Sequence, residues 1–396
     1  MATESPPARP APLRSFWRDE RVIQAASQLL FLALIAWVGY LLIGNMLAAL
    51  RRQGIALGFD FLDNAAGFDI GETLIRYTIA DSFGRALLVG LLNTLLVCAL
   101  GIVLSTLLGL LVGVARLSAN VLVNRLAWLF IEAMRNIPLL VLLVFIYQGI
   151  FLKLPRAREA LALPGSIFLS NRGVALPWGI PTDTFTAYLA VLAAGLVLAV
   201  LTGLGLAVRA RRSGRPQPTL AAGLLVFLLA ALAGWFLLPQ PPLTLDRPAI
   251  QGLNFRGGRV LSPEFMALLL GLVIYTAAFI GEVVRAGIQA VSHGQTEAAR
   301  ALGLTGAQTL RLVILPQALR VIIPPLTSQY LNLTKNSTLA AAIAYPDLFS
   351  ISSTIVNQTG RSVEMIAVVM SLYLAVSLLT ALIMNAYNRR VRLVER

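Results

Sequence analysis

Lys335 is one of only two lysines in the chain, and it stands inside a long apolar stretch. Holding a charge in hydrocarbon costs at least about 2–3 kcal/mol, which makes an ionisable group there a functional candidate. Ser328, Asn332 and Lys335 follow one another at i, i+4 and i+7, so a helix places them on one stripe. Thr327, Thr334 and Thr338 form an adjacent stripe. An ammonium beside several hydrogen-bonding side chains can face a carboxylate or an amide moving along a path. Ser328, Asn332, Lys335 and Thr338 are therefore the substrate-path candidates. A second reading stays open at Lys335, whose long stem could snorkel to the outer interface or bring its charge to a carboxylate on a neighbouring helix. Glu282 with Arg285, and Glu132 with Arg135, have the i, i+3 spacing of local ion pairs or gate contacts.

Other chemistry is excluded by what is missing. The chain has one cysteine, Cys98, and one histidine, His293, too few for a disulfide framework, a zinc site or a haem site. His293 reads as a solvated loop residue. Leu152 precedes Lys153 and Thr334 precedes Lys335, so neither lysine belongs to the Gly-Lys-Ser/Thr loop that holds nucleotide phosphates. No second carboxylate or nucleophile converges on Glu132. We therefore expect no catalytic residue, no metal site and no cofactor held by this chain, which is not an enzyme.

The elements that must carry these residues are membrane helices. The chain is 58% apolar and 13% charged with a mean hydropathy of +0.79, against about half and about a quarter in soluble domains. A spanning helix needs roughly 20 mostly apolar residues. Eight stretches qualify: 22–44, 86–114, 126–151, 186–208, 219–238, 264–286, 318–344 and 363–387. The seventh is interrupted by Pro324, Pro325, Asn332 and Lys335. The first follows Arg9, Arg14, Arg18 and Arg21 like a signal peptide, but its apolar run is too long, and we read it as a retained anchor. The fold class is thus an all-α integral membrane protein with about eight transmembrane helices. Placing both termini in the cytoplasm gives the inner segments the larger share of the arginines and lysines, as the positive-inside rule requires. The net charge of +14 sits in short arginine runs beside apolar segments. That fits anionic membrane lipid and not nucleic acid. Residues 45–85 and 153–185 read as exposed loops, and the fourth and fifth spans as lipid-facing braces.

One inner loop has more structure than a connector needs. From Ser292 to Pro316 it reads SHGQTEAARALGLTGAQTLRLVILP. Thr296 is placed to cap a short helix opening with Glu297, Gly303 to end it in a left-handed turn, and Thr305 to start a second helix with a capping box. Glu297 would then meet the positive end of the helix dipole. Ala298, Ala301 and Leu302 share one face, a small knob suited to docking on another protein.

This loop resembles the EAA loop of ABC-importer permeases: Glu297-Ala298-Ala299, then Gly303, then Val313 and Leu315-Pro316 at the family's spacing, with Val313 where Ile is usual. Asn93-Thr94-Leu95, Arg135-Asn136-Ile137-Pro138-Leu139-Leu140 and Leu331 to Leu339 resemble segments of the polar-amino-acid branch, with Asn136 and Ile137 departing from Gly-Thr. Within it, the chain is most similar to the membrane subunit of general L-amino-acid importers. The resemblance implies a type I permease core in two parts, 86–152 and 264–390, the second holding the coupling loop 292–316. Around them stand a cytoplasmic tail at 1–21, an anchor helix and periplasmic loop at 22–85, and an insertion with two extra spans at 153–263. It implies Glu297, Ala298, Ala299, Leu302 and Gly303 as the contact with a separate ABC ATPase dimer, which binds ATP and Mg. It further implies a second permease chain, identical or a sister subunit, a periplasmic substrate-binding protein, and a bacterial inner-membrane location. The alternative from another class is a secondary transporter driven by an ion gradient, with Lys335 or Glu282 as the coupling charge. Such folds show two similar halves, and no convincing repeat is present here.

Overall fold

The computed structural model describes residues 20–52, 58–214 and 218–391. The expected cytoplasmic arginines Arg9, Arg14, Arg18, Arg215, Arg392 and Arg396 lie outside the described residues. Two compact units are present, Met1–Leu62 and Asp63–Arg396. The first is built on α1 (Glu20–Arg52), whose Leu29, Phe31, Leu34, Trp37 and Leu42 are all exposed, as a lipid-facing helix requires.

The second unit opens with α2 (Phe83–Ala115) and α3 (Val121–Asn136). Ser82 caps α2 by accepting Arg85 N at 3.3 Å, and Asn120 caps α3 by accepting Leu122 N at 2.9 Å. α4 (Leu139–Val144) continues through a π-helical turn, Phe145–Ile150, and a 3-10 turn, Phe151–Lys153. The expected third span is bent: α3 and the Leu139–Lys153 segment meet at 105°. The cause is Pro138. Its ring clashes with a helical conformation in the preceding residue, and Ile137 is accordingly extended at φ −90°, ψ 127°. The other seven expected spans match helices long and apolar enough to cross a bilayer among the described residues, and the bent pair makes eight if taken as one span.

Helices α5 (Phe185–Ser213) and α6 (Thr219–Leu237) form a hairpin. A Cβ on Gly195 would lie 2.5 Å from Ala230 Cβ, so the two backbones approach as only small residues allow. At the base of the hairpin the insertion adds eight short strands to the all-α membrane fold. β1 (Leu161–Leu163), β2 (Ile167–Ser170), β3 (Gly173–Leu176) and β8 (Arg259–Leu261) form one antiparallel sheet. β4 (Trp178–Pro181) pairs with β5 (Leu243–Asp246), and β6 (Ala249–Gln251) with β7 (Asn254–Arg256). These strands are too short to leave a clear alternation in the sequence.

α7 (Pro263–Gln289) is the central helix, packed on α2 along its length. Gly109 and Gly113 of α2 make the closest approach. A Cβ on Gly109 would lie 2.5 Å from Ile280, and one on Gly113 2.8 Å from the Gly281 carbonyl. Leu143, Leu268, Leu272 and Ile343, each almost fully buried, fill a separate core toward the N-terminal half of α7. After the inner loop come α8 (His293–Ala301), α9 (Gly306–Thr309), a π-helical turn and α10 (Leu315–Asn336), which runs through Pro324 and Pro325. A 3-10 segment, Ser337–Ile343, then leads to α11 (Leu348–Thr359) and α12 (Ser362–Val391). α11 lies between the last two expected spans and has no counterpart among them.

Candidate functional site

The inner loop folds as a capped knob. α8 starts at His293 with Ser292 at its N-cap, so Thr296 lies inside the helix instead of capping it. Glu297 is consequently one turn in from the positive end, and its Oε1 lies 3.0 Å from His293 Nδ1. His293 is thus the first helical residue, not a free loop residue; both side chains are well exposed, at 83% and 68%. The other end matches expectation. Gly303 adopts φ +77°. Leu304 N donates to Ala299 O at 3.1 Å and Gly303 N to Arg300 O at 2.9 Å, the two bonds of a Schellman motif. Thr305 and Gln308 then form the reciprocal capping box. Ala299 is buried and anchors the knob, whereas Ala298, Ala301 and Leu302 are exposed, Leu302 at 81%.

The second group lies on α10. Ser328, Asn332 and Lys335 are all exposed on one face, and Lys335 stands in the last turn. Thr338 follows in the 3-10 segment, half-buried, donating its hydroxyl to Lys335 O at 2.8 Å. The adjacent threonine stripe divides. Thr334 is buried and bonds Tyr330 O at 3.0 Å, while Thr327 is half-buried and bonds Ile323 O at 3.2 Å. Knob and stripe occur at opposite ends of the α9–α10 helical run and do not converge.

Of the two candidate ion pairs, one forms. Arg285 Nε donates to Glu282 Oε2 at 2.9 Å within α7. The Glu132–Arg135 pair is corrected: Arg135 lies over the Phe279 ring at 5.7 Å, and Glu132 O accepts from Asn136 Nδ2 at 2.7 Å.

The outer end holds a cluster of largely uncharged side chains that no charge in a span marks. Asn93, 2% exposed, donates from Nδ2 to Glu72 O and to Pro346 O, each at 2.9 Å. Thr94 Oγ1 accepts Leu348 N at 3.0 Å and donates to Gly90 O at 2.9 Å. Glu72 Oε1 accepts Ser262 N at 3.0 Å, tying the outer loop to the start of α7. Burial raises the Glu72 carboxyl above its ordinary value, partly offset by the hydrogen bonds from Ser262. Beside this clamp opens a cleft of about 640 Å³ whose polar lining includes Asp69, Glu72, Glu264, Ser350, Ser353 and Thr354. The Asn-Thr pair was visible in the sequence as a motif, but its role needed the partner 253 residues away.

Residues 105–393, well over half of the chain, match the model of the family described as "Binding-protein-dependent transport system inner membrane component". The chain belongs to this family. Among similar proteins, the putative amino-acid ABC transporter permease protein YhdX of Escherichia coli (strain K12) is 48% identical, over 92% of this chain and 93% of its own length. The general L-amino acid transport system permease protein AapQ of Rhizobium johnstonii is 43% identical, over 94% and 92%. The glutamate/glutamine/aspartate/asparagine transport system permease protein BztB of Rhodobacter capsulatus is 41% identical, over 94% of both chains. This permease is thus a multi-pass inner-membrane subunit of a binding-protein-dependent ABC importer, in the branch of the amino-acid permeases, and it carries transport and not catalysis. Family membership removes the ion-gradient alternative.

Proposed function

We propose that this permease moves L-amino acids from the periplasm to the cytoplasm, driven by a separate pair of ATPase subunits that bind ATP and Mg. The observation that carries the coupling half of this reading is the α8 knob. Its buried Ala299 and Schellman end make it rigid, and its exposed Ala298, Ala301 and Leu302 present a small apolar surface. Glu297, Ala298, Leu302 and Gly303 form the ATPase contact, with Ala299 buried beneath them rather than offered to the partner, so that closure of the ATPase pair moves α7 and α10, between which the knob is strung. The names of the relatives, all amino-acid permeases, support the cargo class.

The exposed face of α10 supports a path lined by Ser328, Asn332, Lys335 and Thr338. Polar groups at membrane depth need a polar neighbour or water, which a second permease chain across an aqueous path supplies. That chain is a second copy or a sister subunit. A periplasmic binding protein delivers cargo at the outer cleft. Both termini lie in the cytoplasm, 86–152 and 264–390 form the core, and 153–263 is an added module.

The reading is tested by reconstituting the chain in vesicles with its ATPase and binding protein and supplying a panel of labelled L-amino acids. ATP inside should drive uptake of amino acids, and collapse of proton and sodium gradients should leave it intact. Uptake of sugars or phosphate in place of amino acids would overturn the cargo assignment.

A further inference from the structure

The turn joining α2 to α3 forms a hollow of about 450 Å³. Its polar lining is Arg116, Asn124 and Arg125; its apolar lining is Leu122, Leu126, Leu129 and Trp128. The turn is built firmly. Asn124 Nδ2 donates to Arg116 O at 2.9 Å, its Oδ1 accepts from the Arg116 guanidinium, and Asn120 caps the helix. Arg116 is thereby held over the first turn of α3, one turn from the exposed Arg125.

α3 is two-faced. Ala127 and Ile131 are buried where the helix packs on α7. Leu122, Leu126 and Leu129 recur at i, i+4 and i+7, and are 67%, 58% and 58% exposed, with Trp128 at 48%. The Pro138 bend separates this amphipathic helix from the span that follows it. The arginine distribution puts the turn on the cytoplasmic side, where a tryptophan and arginines flanking an apolar stripe mark the bilayer interface.

We infer that the hollow is a binding site for an anionic phospholipid of the inner leaflet. The headgroup phosphate lies between the Arg116 and Arg125 guanidinium groups, and an acyl chain lies along Leu122, Leu126 and Leu129. Guanidinium forks match phosphate oxygens bidentately. Basic pockets at the cytoplasmic ends of membrane helices take anionic headgroups. The leucine stripe distinguishes a lipid from free phosphate, which would leave that wall bare. The inference rests on the cytoplasmic placement of this turn, and stands whatever cargo the transporter carries.

The test uses the full chain, purified in mild detergent together with its partner subunits, with bound lipid counted by native mass spectrometry. The probes are phosphatidylglycerol, phosphatidylcholine of the same chains, and glycerol phosphate. Phosphatidylglycerol should be retained in preference to phosphatidylcholine, and glycerol phosphate should not displace it. Arg125→Gln, at an exposed position outside the hydrogen bonds of the turn, should weaken retention about fivefold. Arg116→Gln should do the same, and Arg116→Lys, which keeps the charge but loses the fork, should fall between it and the wild type. Equal retention of both lipids, or unchanged retention in Arg125→Gln, would overturn the site. So would displacement by glycerol phosphate, which would indicate a free-anion site. A photocrosslinker at position 126 that reaches only protein, in membranes containing the assembled transporter, would assign the face to a partner subunit instead.

Discussion

Asn93 and Pro346 are held together by a 2.9 Å hydrogen bond across 253 residues of chain, and the same Asn93 amide bonds Glu72 O. One side chain near the outer end of α2 therefore fastens both the outer loop and the turn before α11. Asn93→Ala removes both bonds and leaves two carbonyls without this donor. Each loss costs about 1–3 kcal/mol, so we expect destabilisation of about 2–6 kcal/mol. Thr94→Val, which strips the acceptor from Leu348 N, should cost about 1–3 kcal/mol. Unfolding in detergent, followed by tryptophan fluorescence, measures both.

Ala344 ends the 3-10 segment in a left-handed conformation, φ 60°, ψ 22°. An L-residue with a Cβ pays about 1–2 kcal/mol there, and glycine gives back about 0.4–1 kcal/mol through its freer unfolded chain. Ala344→Gly should raise stability by up to about 1.6 kcal/mol. Ala344→Val should lower it, because a β-branched residue fits that region worst. A rise for valine and a fall for glycine would contradict the conformational account.

The Glu72 carboxyl is raised by burial above its ordinary value of 4.5. For a carboxyl raised in the folded state, the native protein binds the proton more tightly than the unfolded chain does. Stability from this group is therefore fully present below the ordinary value and lost as pH rises through the raised one. Melting temperature should fall over that window in the wild type, and the slope should flatten in Glu72→Gln. An equal slope in both proteins would assign the effect to another group.

Gly109 and Gly113 set the α2–α7 distance. A Cβ on Gly109 would sit 2.5 Å from Ile280, so no larger residue fits without moving the helices. Gly109→Val should destabilise by about 1–3 kcal/mol or more and reduce transport, whereas Gly39→Val on α1, with nothing within 4 Å, should do neither.

Much of the fold was legible because hydrocarbon demands long apolar runs, and seven of the eight expected stretches became helices of the right place and kind. The bend in the third could not be read from hydropathy, which is blind to Pro138, although the proline itself was plain in the motif. The strands of the insertion escaped because segments of three or four residues carry no readable period. The start of α8 was misplaced because Ser292 and Thr296 are both good caps, and only the fold shows which one stands outside the helix. Gly303 was readable from chemistry alone, since a left-handed turn favours glycine. Gly109-x-x-x-Gly113 is a sequence signal of close helix packing, independent of any charge. The Asn93 clamp could not be read, because the carbonyls it binds carry no sequence signature.

The coupling role of the α8 knob is the central claim, and Leu302 and Gly303 expose it most directly. Leu302 is 81% exposed and Gly303 turns at φ +77° with nothing within 4 Å of its missing Cβ. Leu302→Arg should leave the membrane fold intact, and Gly303→Asp should disturb only the end of the knob. The decisive measurement is ATP-driven amino-acid uptake in vesicles holding the assembled transporter, with ATPase activity followed in parallel. We predict that both variants insert normally and abolish uptake while ATP hydrolysis persists or the ATPase subunits fail to stay bound. Uptake at the wild-type rate in both variants would contradict the account.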